Sequence, residues 1–302
     1  MYPRILIPLD SSDTAEQVLP YACLLSKGLK IPVELLRVIE PVSPELSDPS
    51  HGLYLDRVAD SMRSAGQEYL KKVASSLKSD GVPATTQVHE GDPATRILDE
   101  AEKSPEALVA MTTHGRSGVA RWVLGSVTDK VLHGTQNPML VVRAKENGTS
   151  SGAEQLTTLI VPLDGSPEGE QVLPHVVALA KGLHLKVTLV KALPIDWIMY
   201  NEYGAYIQSY YETAAAQLEQ NAIEYLSKTA KAISSQGVSS VDTKFIQGHP
   251  ATAIINLAQE IDGSLIAMTT HGRSGVGRWV LGSVADRVVR HSGSPVLMVH
   301  VR

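Results

Sequence analysis

The chain repeats itself once, and that limits its architecture more than any other feature. Ala110–His133 and Ala267–Arg290 share 19 of 24 residues at an offset of 157. Ile5-Leu6-Ile7-Pro8-Leu9-Asp10 returns as Leu159-Ile160-Val161-Pro162-Leu163-Asp164 at an offset of 154. Gly91-Asp92-Pro93-Ala94-Thr95 returns as Gly248-His249-Pro250-Ala251-Thr252. Such a period is too long for a solenoid unit, so a whole domain has been duplicated. The intervening stretch 145–156 is polar and Gly/Ser-rich, the composition of a flexible linker. The expected domains are therefore 1–144 and 157–302, each long enough to bury a core of its own.

Composition removes several classes of function. A net charge of −5 provides no basic footprint for nucleic acid or an anionic membrane. The single cysteine, Cys23, excludes a disulfide scaffold and cysteine-based zinc sites. The histidines lack metal-ligand spacing, so no protein-only metal site is expected. No signal-peptide core and no apolar run of membrane-spanning length is visible, and the expected compartment is the reducing cytoplasm.

Within one copy, strand and helix signals alternate. Arg4–Leu9, Val33–Ile39, Ala84–His89, Ala107–Met111 and Met139–Val142 read as strands. Between them, Val18, Ala22, Leu25 and Leu29 recur at helical spacing. The second copy repeats this with Val172, Val176, Leu179 and Leu183, opened by Ser166 as cap and Pro167 at the first helical position. Val58, Met62, Tyr69, Val73 and Leu77 predict the buried face of a long second helix. Asp92-Pro93 opens a third helix and Ser126 a fourth. Alternation of this kind predicts a parallel sheet with right-handed crossovers, and five strands favour the order 3-2-1-4-5. Ligands of such sheets bind at the carboxyl ends of the strands, beside the switch between strands 1 and 4. Asp10 and the loop after Met111 fall there, as do Asp164 and the loop after Met268.

That loop carries the chemistry. It reads Thr112-Thr113-His114-Gly115-Arg116-Ser117-Gly118 and runs on to Gly125-Ser126. Gly115 and Gly118 can bring backbone amides against a ligand, and the helix start beyond Gly125 is an anion site. Ser126 and Asp129, repeated as Ser283 and Asp286, have capping-box spacing. The Ser126 hydroxyl can also reach a phosphate, and Arg116 and Arg121 add positive charge. Turn glycines and a cap serine are common without any ligand. Here the loop lies at the predicted switch point and is the least diverged part of both copies, which favours a binding role. For His114 and His271, a hydrogen bond within the turn is favoured over a phosphate contact.

Together, Pro-Leu-Asp after the first strand, Gly-Asp-Pro-Ala before the third helix and His-Gly-x9-Gly-Ser resemble the universal stress protein family in its tandem-domain form. The resemblance covers nearly the whole chain. It implies a Rossmann-like fold of the adenine nucleotide alpha hydrolase type and ATP as ligand, with magnesium able to arrive alongside. The family's ATP-binding motif is Gly-x-x-Gly-x9-Gly-Ser/Thr. Gly115 with Gly125-Ser126, and Gly272 with Gly282-Ser283, match its second half, whereas Thr112 and Thr269 stand in place of its first glycine. By the same resemblance Asp10 and Val38 line the adenosine side, and Val127 flanks the phosphates. Their counterparts are Asp164, Ala192 and Val284. Ala192 is smaller than Val38, so the two pockets need not be equivalent. The remaining candidate site residues are Pro8 and Met111 in the first copy, and Pro162, Arg273 and Gly275 in the second.

The leading expectation is an ATP-binding regulatory module of stress response, with at most slow hydrolysis. No positioned base or second substrate site is visible, which disfavours the rival, an ATP-hydrolysing enzyme of the same fold. A nucleotide-free interaction scaffold is the third alternative. Trp197, Tyr200, Tyr203, Tyr206, Tyr210 and Tyr211 crowd one connection of the second copy, as a lid, a partner surface or an ordinary cover. The final strands, Met139–Val142 and Val296–Val299, are apolar, and single-domain members of the family dimerise through this strand. An intramolecular pseudo-dimer is therefore expected, and a homodimer of the whole chain is compatible with it.

Overall fold

The computed structural model describes residues 2–41, 52–113, 124–144, 155–193, 205–272 and 281–301, the side chains of 52–56 and 205–212 excepted. The proposed linker falls almost entirely outside the described residues; of the tyrosine-rich connection, 197–204 lie outside them and the backbone from Ala205 onward is helical. The chain divides into two compact units, Met1–Glu154 and Gln155–Arg302.

The first unit runs β1 (Ile5–Pro8), α1 (Asp13–Glu16), α2 (Leu19–Leu29), β2 (Val33–Ile39), α3 (Gly52–Ser79), β3 (Ala84–Glu90), α4 (Pro93–Glu102), β4 (Leu108–Thr112), α5 (Ser126–Gly134) and β5 (Met139–Val142). Its strands lie in the order β3-β2-β1-β4-β5 and every pair is parallel. The register sets Ile5 against Val33 on one side and Leu108 on the other. Ile5, Leu6 and Ile7 are fully buried, as a central strand covered on both faces requires.

The second unit repeats the plan. It runs β6 (Thr158–Pro162), α6 (Pro167–Glu170), α7 (Leu173–Leu183), β7 (Lys186–Leu193), α8 (Ala205–Ser234), β8 (Val241–Gln247), α9 (Pro250–Glu260), β9 (Ser264–Thr269), α10 (Ser283–His291) and β10 (Val296–Val299). The order is β8-β7-β6-β9-β10, again parallel throughout. The expected 3-2-1-4-5 sheet is present in each unit. No described helix is long and apolar enough to cross a membrane.

Three local readings change. The first helix of each copy is two helices, α1 and α2, and again α6 and α7. Pro20 and Pro174 each stand in the first turn of the second piece. A proline cannot donate the amide that would join the pieces, and it disfavours helical geometry at the residue before it. In α3 the buried stripe runs through Leu70, Ala74 and Leu77, while Met62 is exposed. The period is right, but the buried face is rotated. The capping box at Ser126 and Ser283 does not form. Gly125 and Gly282 are the N-caps, and each serine is the first helical residue.

Candidate functional site

The crevice of the first unit opens at the carboxyl ends of β1 and β4, at the switch point. The turn leaving β1 is built around Asp10. Ser12 N–H and Oγ–H donate to Asp10 Oδ1 at 3.0 and 2.5 Å. Ser12 then caps α1, accepting from Ala15 N at 3.1 Å. The second unit repeats this with Asp164 and Ser166, at 2.9 and 2.6 Å. Both turns need a left-handed residue after the aspartate, Ser11 at φ 68° and Gly165 at φ 87°. Glycine adopts this freely, whereas a serine is strained by about 1 kcal/mol.

The opposite wall is the helix start after the fourth strand. Gly125 N–H donates to the Thr113 carbonyl and Gly282 N–H to the Thr270 carbonyl, closing each glycine-rich loop at its base. A β-carbon on Gly282 would stand 3.0 Å from the Thr270 carbonyl oxygen, a contact that fits only if that backbone gives by a few tenths of an ångström. Glycine has no capping side chain, and neither α5 nor α10 makes a side-chain cap hydrogen bond. Their first-turn amides therefore keep the positive end of a helix dipole facing the crevice. This arrangement suits an anion. Thr128 Oγ1 donates to the Thr112 carbonyl at 2.8 Å and fixes the first turn of α5 to β4.

In the first unit Pro8, Asp10, Val38, Met111, Thr112, Gly125, Ser126 and Val127 line one cavity of about 450 Å³. In the second, Pro162, Asp164, Ala192, Met268, Thr269, His271, Gly272, Gly282, Ser283 and Val284 line one of about 260 Å³. His114, Gly115, Arg116, Gly118, Arg273 and Gly275 lie outside the described residues. His271 Nδ1 lies 3.2 Å from Thr270 Oγ1, and Thr269 Oγ1 donates to the His271 carbonyl at 2.7 Å. Burial lowers the imidazole below its ordinary value. At neutral pH the ring is therefore uncharged and gives a phosphate no cation.

A polar cluster behind the aspartate was not apparent from the motifs. Arg37 on β2 lines the first cavity and donates to the Leu9 carbonyl at 3.3 Å, the peptide just before Asp10. Tyr69 on α3 donates to Glu16 Oε1 on α1 at 2.8 Å. Burial, then Glu16 and Asp10, push the Tyr69 phenol well above its usual range, so it stays a proton donor. The second unit has the same chemistry in Asp164, Glu170, Lys191 and Tyr225. There the Lys191 ammonium lies 4.6 Å above the Tyr225 ring, and burial, then Glu170, push the phenol above its usual range. The signal was in the repeat: acid for acid, cation for cation and tyrosine for tyrosine at matched positions. A search for glycine motifs passes over it. The floors of the crevices, Pro93 with Ile97 and Pro250 with Ile254, were also missed, because apolar helix residues carry no chemical signature.

Fold and site together define each unit as a Rossmann-like α/β domain with its ligand crevice at the topological switch point. The sequence profile of the universal stress protein family matches residues 1–143 and again residues 156–300, and the chain belongs to that family, as a tandem pair. A universal stress protein of Mycolicibacterium smegmatis is 25% identical over 307 residues, covering 99% of this chain and 97% of its own. One from Methanocaldococcus jannaschii is 34% identical over 143 residues, covering 47% of this chain and 83% of its own. The crystal structure of a universal stress protein from Archaeoglobus fulgidus superposes with a TM-score of 0.68 at 21% identity, covering 99% of this chain and 96% of that one, and shares the fold.

Proposed function

We infer that the chain binds an adenine nucleotide, ATP, at the switch-point crevice, and works as a nucleotide-dependent regulatory module of stress response in the cytoplasm. One observation carries this reading. In both units a strand-end aspartate faces an uncapped helix start across a single cavity. The aspartate suits the hydroxyls of a ribose, and the helix start suits a polyphosphate. Gly125 and Gly282 fit such a group because their missing side chains leave the amides accessible. Bound ATP supplies the polyanion, with magnesium as its counter-ion. Within the chain the two terminal strands are proposed to pair as a pseudo-dimer, and a homodimer of whole chains is compatible with that.

Mass spectrometry of nucleotide released from the purified, denatured protein tests the reading. ATP supports it. ADP accompanied by turnover indicates an ATP-hydrolysing enzyme. Release of nothing, together with no binding in a titration, indicates a scaffold. Ser126→Ala combined with Ser283→Ala should weaken binding several-fold. Both serines are exposed and neither is the N-cap, so stability should change by no more than about 0.5 kcal/mol. Unchanged affinity in that double variant counts against the phosphate assignment. Hydrolysis should stay below about one turnover per minute, slower than dedicated enzymes. Several turnovers per second, abolished by Asp10→Asn with Asp164→Asn, would overturn the regulatory reading.

A further inference from the structure

We propose that Arg37 and Tyr69, with Lys191 and Tyr225 in the second unit, are positioning residues of the nucleotide site: they hold the turn that aims the strand-end aspartate at a ribose. This rests on the nucleotide reading above. The two units are copies, so they show which polar groups outlasted divergence. Arg4, Glu34 and Glu100 form a buried charge network in the first unit, and Thr158, Thr188 and Leu257 stand there in the second. Asp10, Ser12, Glu16, Arg37 and Tyr69 instead return as Asp164, Ser166, Glu170, Lys191 and Tyr225. The fold does without the first cluster, and both units keep the one that surrounds the crevice aspartate.

The turn needs holding. Asp10 is followed by Ser11 in the left-handed region, at φ 68°, and then by α1, a helix of four residues. Neither is stable alone: a non-glycine residue in that region is strained, and a single helical turn repays little of its nucleation cost. Restraint comes from both sides. Before the aspartate, Arg37 donates to the Leu9 carbonyl at 3.3 Å and so fixes the Leu9–Asp10 peptide from which the carboxylate departs. The long helix α3 confines this arginine, since a β-carbon on Gly66 would stand 3.3 Å from Arg37 Cγ. After the aspartate, Ser12 bonds Asp10 Oδ1 and caps α1. Tyr69 then donates to Glu16 at the far end of that helix, at 2.8 Å, and ties the turn to α3. The second unit sets the same groups together, with Lys191 over the Tyr225 ring and Glu170 beside the phenol. A carboxylate held in this way keeps its direction before a ligand arrives, so less ordering is left to be done on binding. Its partners are the ribose hydroxyls, and the gain in affinity therefore belongs to the sugar, not to the base or the phosphates.

The test is a calorimetric titration of the full, nucleotide-stripped chain with magnesium and either ATP or 2′,3′-dideoxy-ATP, which lacks the ribose hydroxyls. Tyr69→Phe with Tyr225→Phe removes only two hydroxyl groups, and Arg37→Met with Lys191→Met removes the two cations. Each pair should weaken ATP about fivefold and change dideoxy-ATP by less than about twofold. Arg37 also lines the cavity, but a direct contact with phosphate would weaken both nucleotides alike. Arg37→Lys, which keeps a donor where the second unit has one, should bind ATP within about twofold of the unaltered chain. In a chain that already carries Asp10→Ala with Asp164→Ala, neither pair should weaken ATP further, because the carboxylate they aim is gone. Equal loss of both nucleotides, an unchanged ATP affinity in either pair, further loss in the alanine background, or Arg37→Lys as weak as the methionine pair overturns the inference while leaving nucleotide binding intact. No ATP binding by the unaltered chain overturns the nucleotide reading and this inference with it.

Discussion

Glu100 lies on α4 at 2% exposure, a place where a lone carboxylate would be costly. Burial raises its pKa, but hydrogen bonds and charge from Lys103, at 2.6 Å, and Arg4, at 3.2 Å, outweigh this and hold it below its ordinary value. Arg4 also pairs with the buried Glu34. The duplicated copy is an internal comparison, because Thr158, Thr188 and Leu257 stand at the positions of Arg4, Glu34 and Glu100. The charges are thus one solution to filling this space rather than a requirement of the fold. Because the folded-state pKa is depressed, the stabilisation is present above the unfolded value, about 4.3, and is lost as pH falls through the lower folded value. Glu100→Gln should melt earlier than the unaltered chain at pH 7, and the gap should close as pH approaches 3. Melting curves that keep a constant gap would rule out this origin. Neither Glu34 nor Glu100 stood out in the sequence, since a charged residue within an apolar run does not reveal which partner neutralises it. Asp10 and Asp164 did stand out, because strand-end position and repetition coincide there.

The elements were legible wherever local chemistry decides them. Asp92-Pro93 forms the expected cap, with Thr95 N–H donating to Asp92 Oδ1 at 3.0 Å. The strands fall within a residue or two of their apolar runs. Signals failed where two rules competed. The heptad-like spacing around Val18 continued past Pro20, and the backbone broke there instead. At Ser126, capping-box spacing yielded to Gly125, which the loop needs against the Thr113 carbonyl. The Asp92 cap has no equivalent on α9, where His249 is the N-cap and makes no side-chain cap bond. The two caps share a backbone conformation, φ −68° and ψ 125° at Asp92 against φ −65° and ψ 123° at His249. His249→Asp should therefore form the missing bond and stabilise the chain by about 1 kcal/mol, read as a higher melting temperature. An unchanged or lower value would mean that His249 makes a compensating contact of its own.

At the scale of the whole molecule, duplication has kept the fold and allowed the surfaces and pockets to diverge. Two units were legible from the repeat; their assembly is a separate question of physics. As the last strand of its five, β5 carries the apolar run Met139-Leu140-Val141-Val142, and β10 carries Val296-Leu297-Met298-Val299. A strand at the end of a sheet has amides and carbonyls without a ladder partner on one side, and an apolar one invites pairing. A linker of about a dozen residues reaches on the order of 20 Å, and a tether of that reach holds two domains at millimolar effective concentration. Pairing within one chain should thus outcompete pairing between chains, with β5 and β10 antiparallel about a pseudo-two-fold axis. Hydrogen exchange on the intact chain tests this. The amides of β5 that point away from β4 should be protected, as should those of β10 that point away from β9. Leu140→Lys should speed exchange in Val296–Val299 as well as in its own strand, because a charge on one side of a shared seam loosens both. Acceleration confined to the first unit, or protection that grows with protein concentration, would mean that the strands do not pair within the chain.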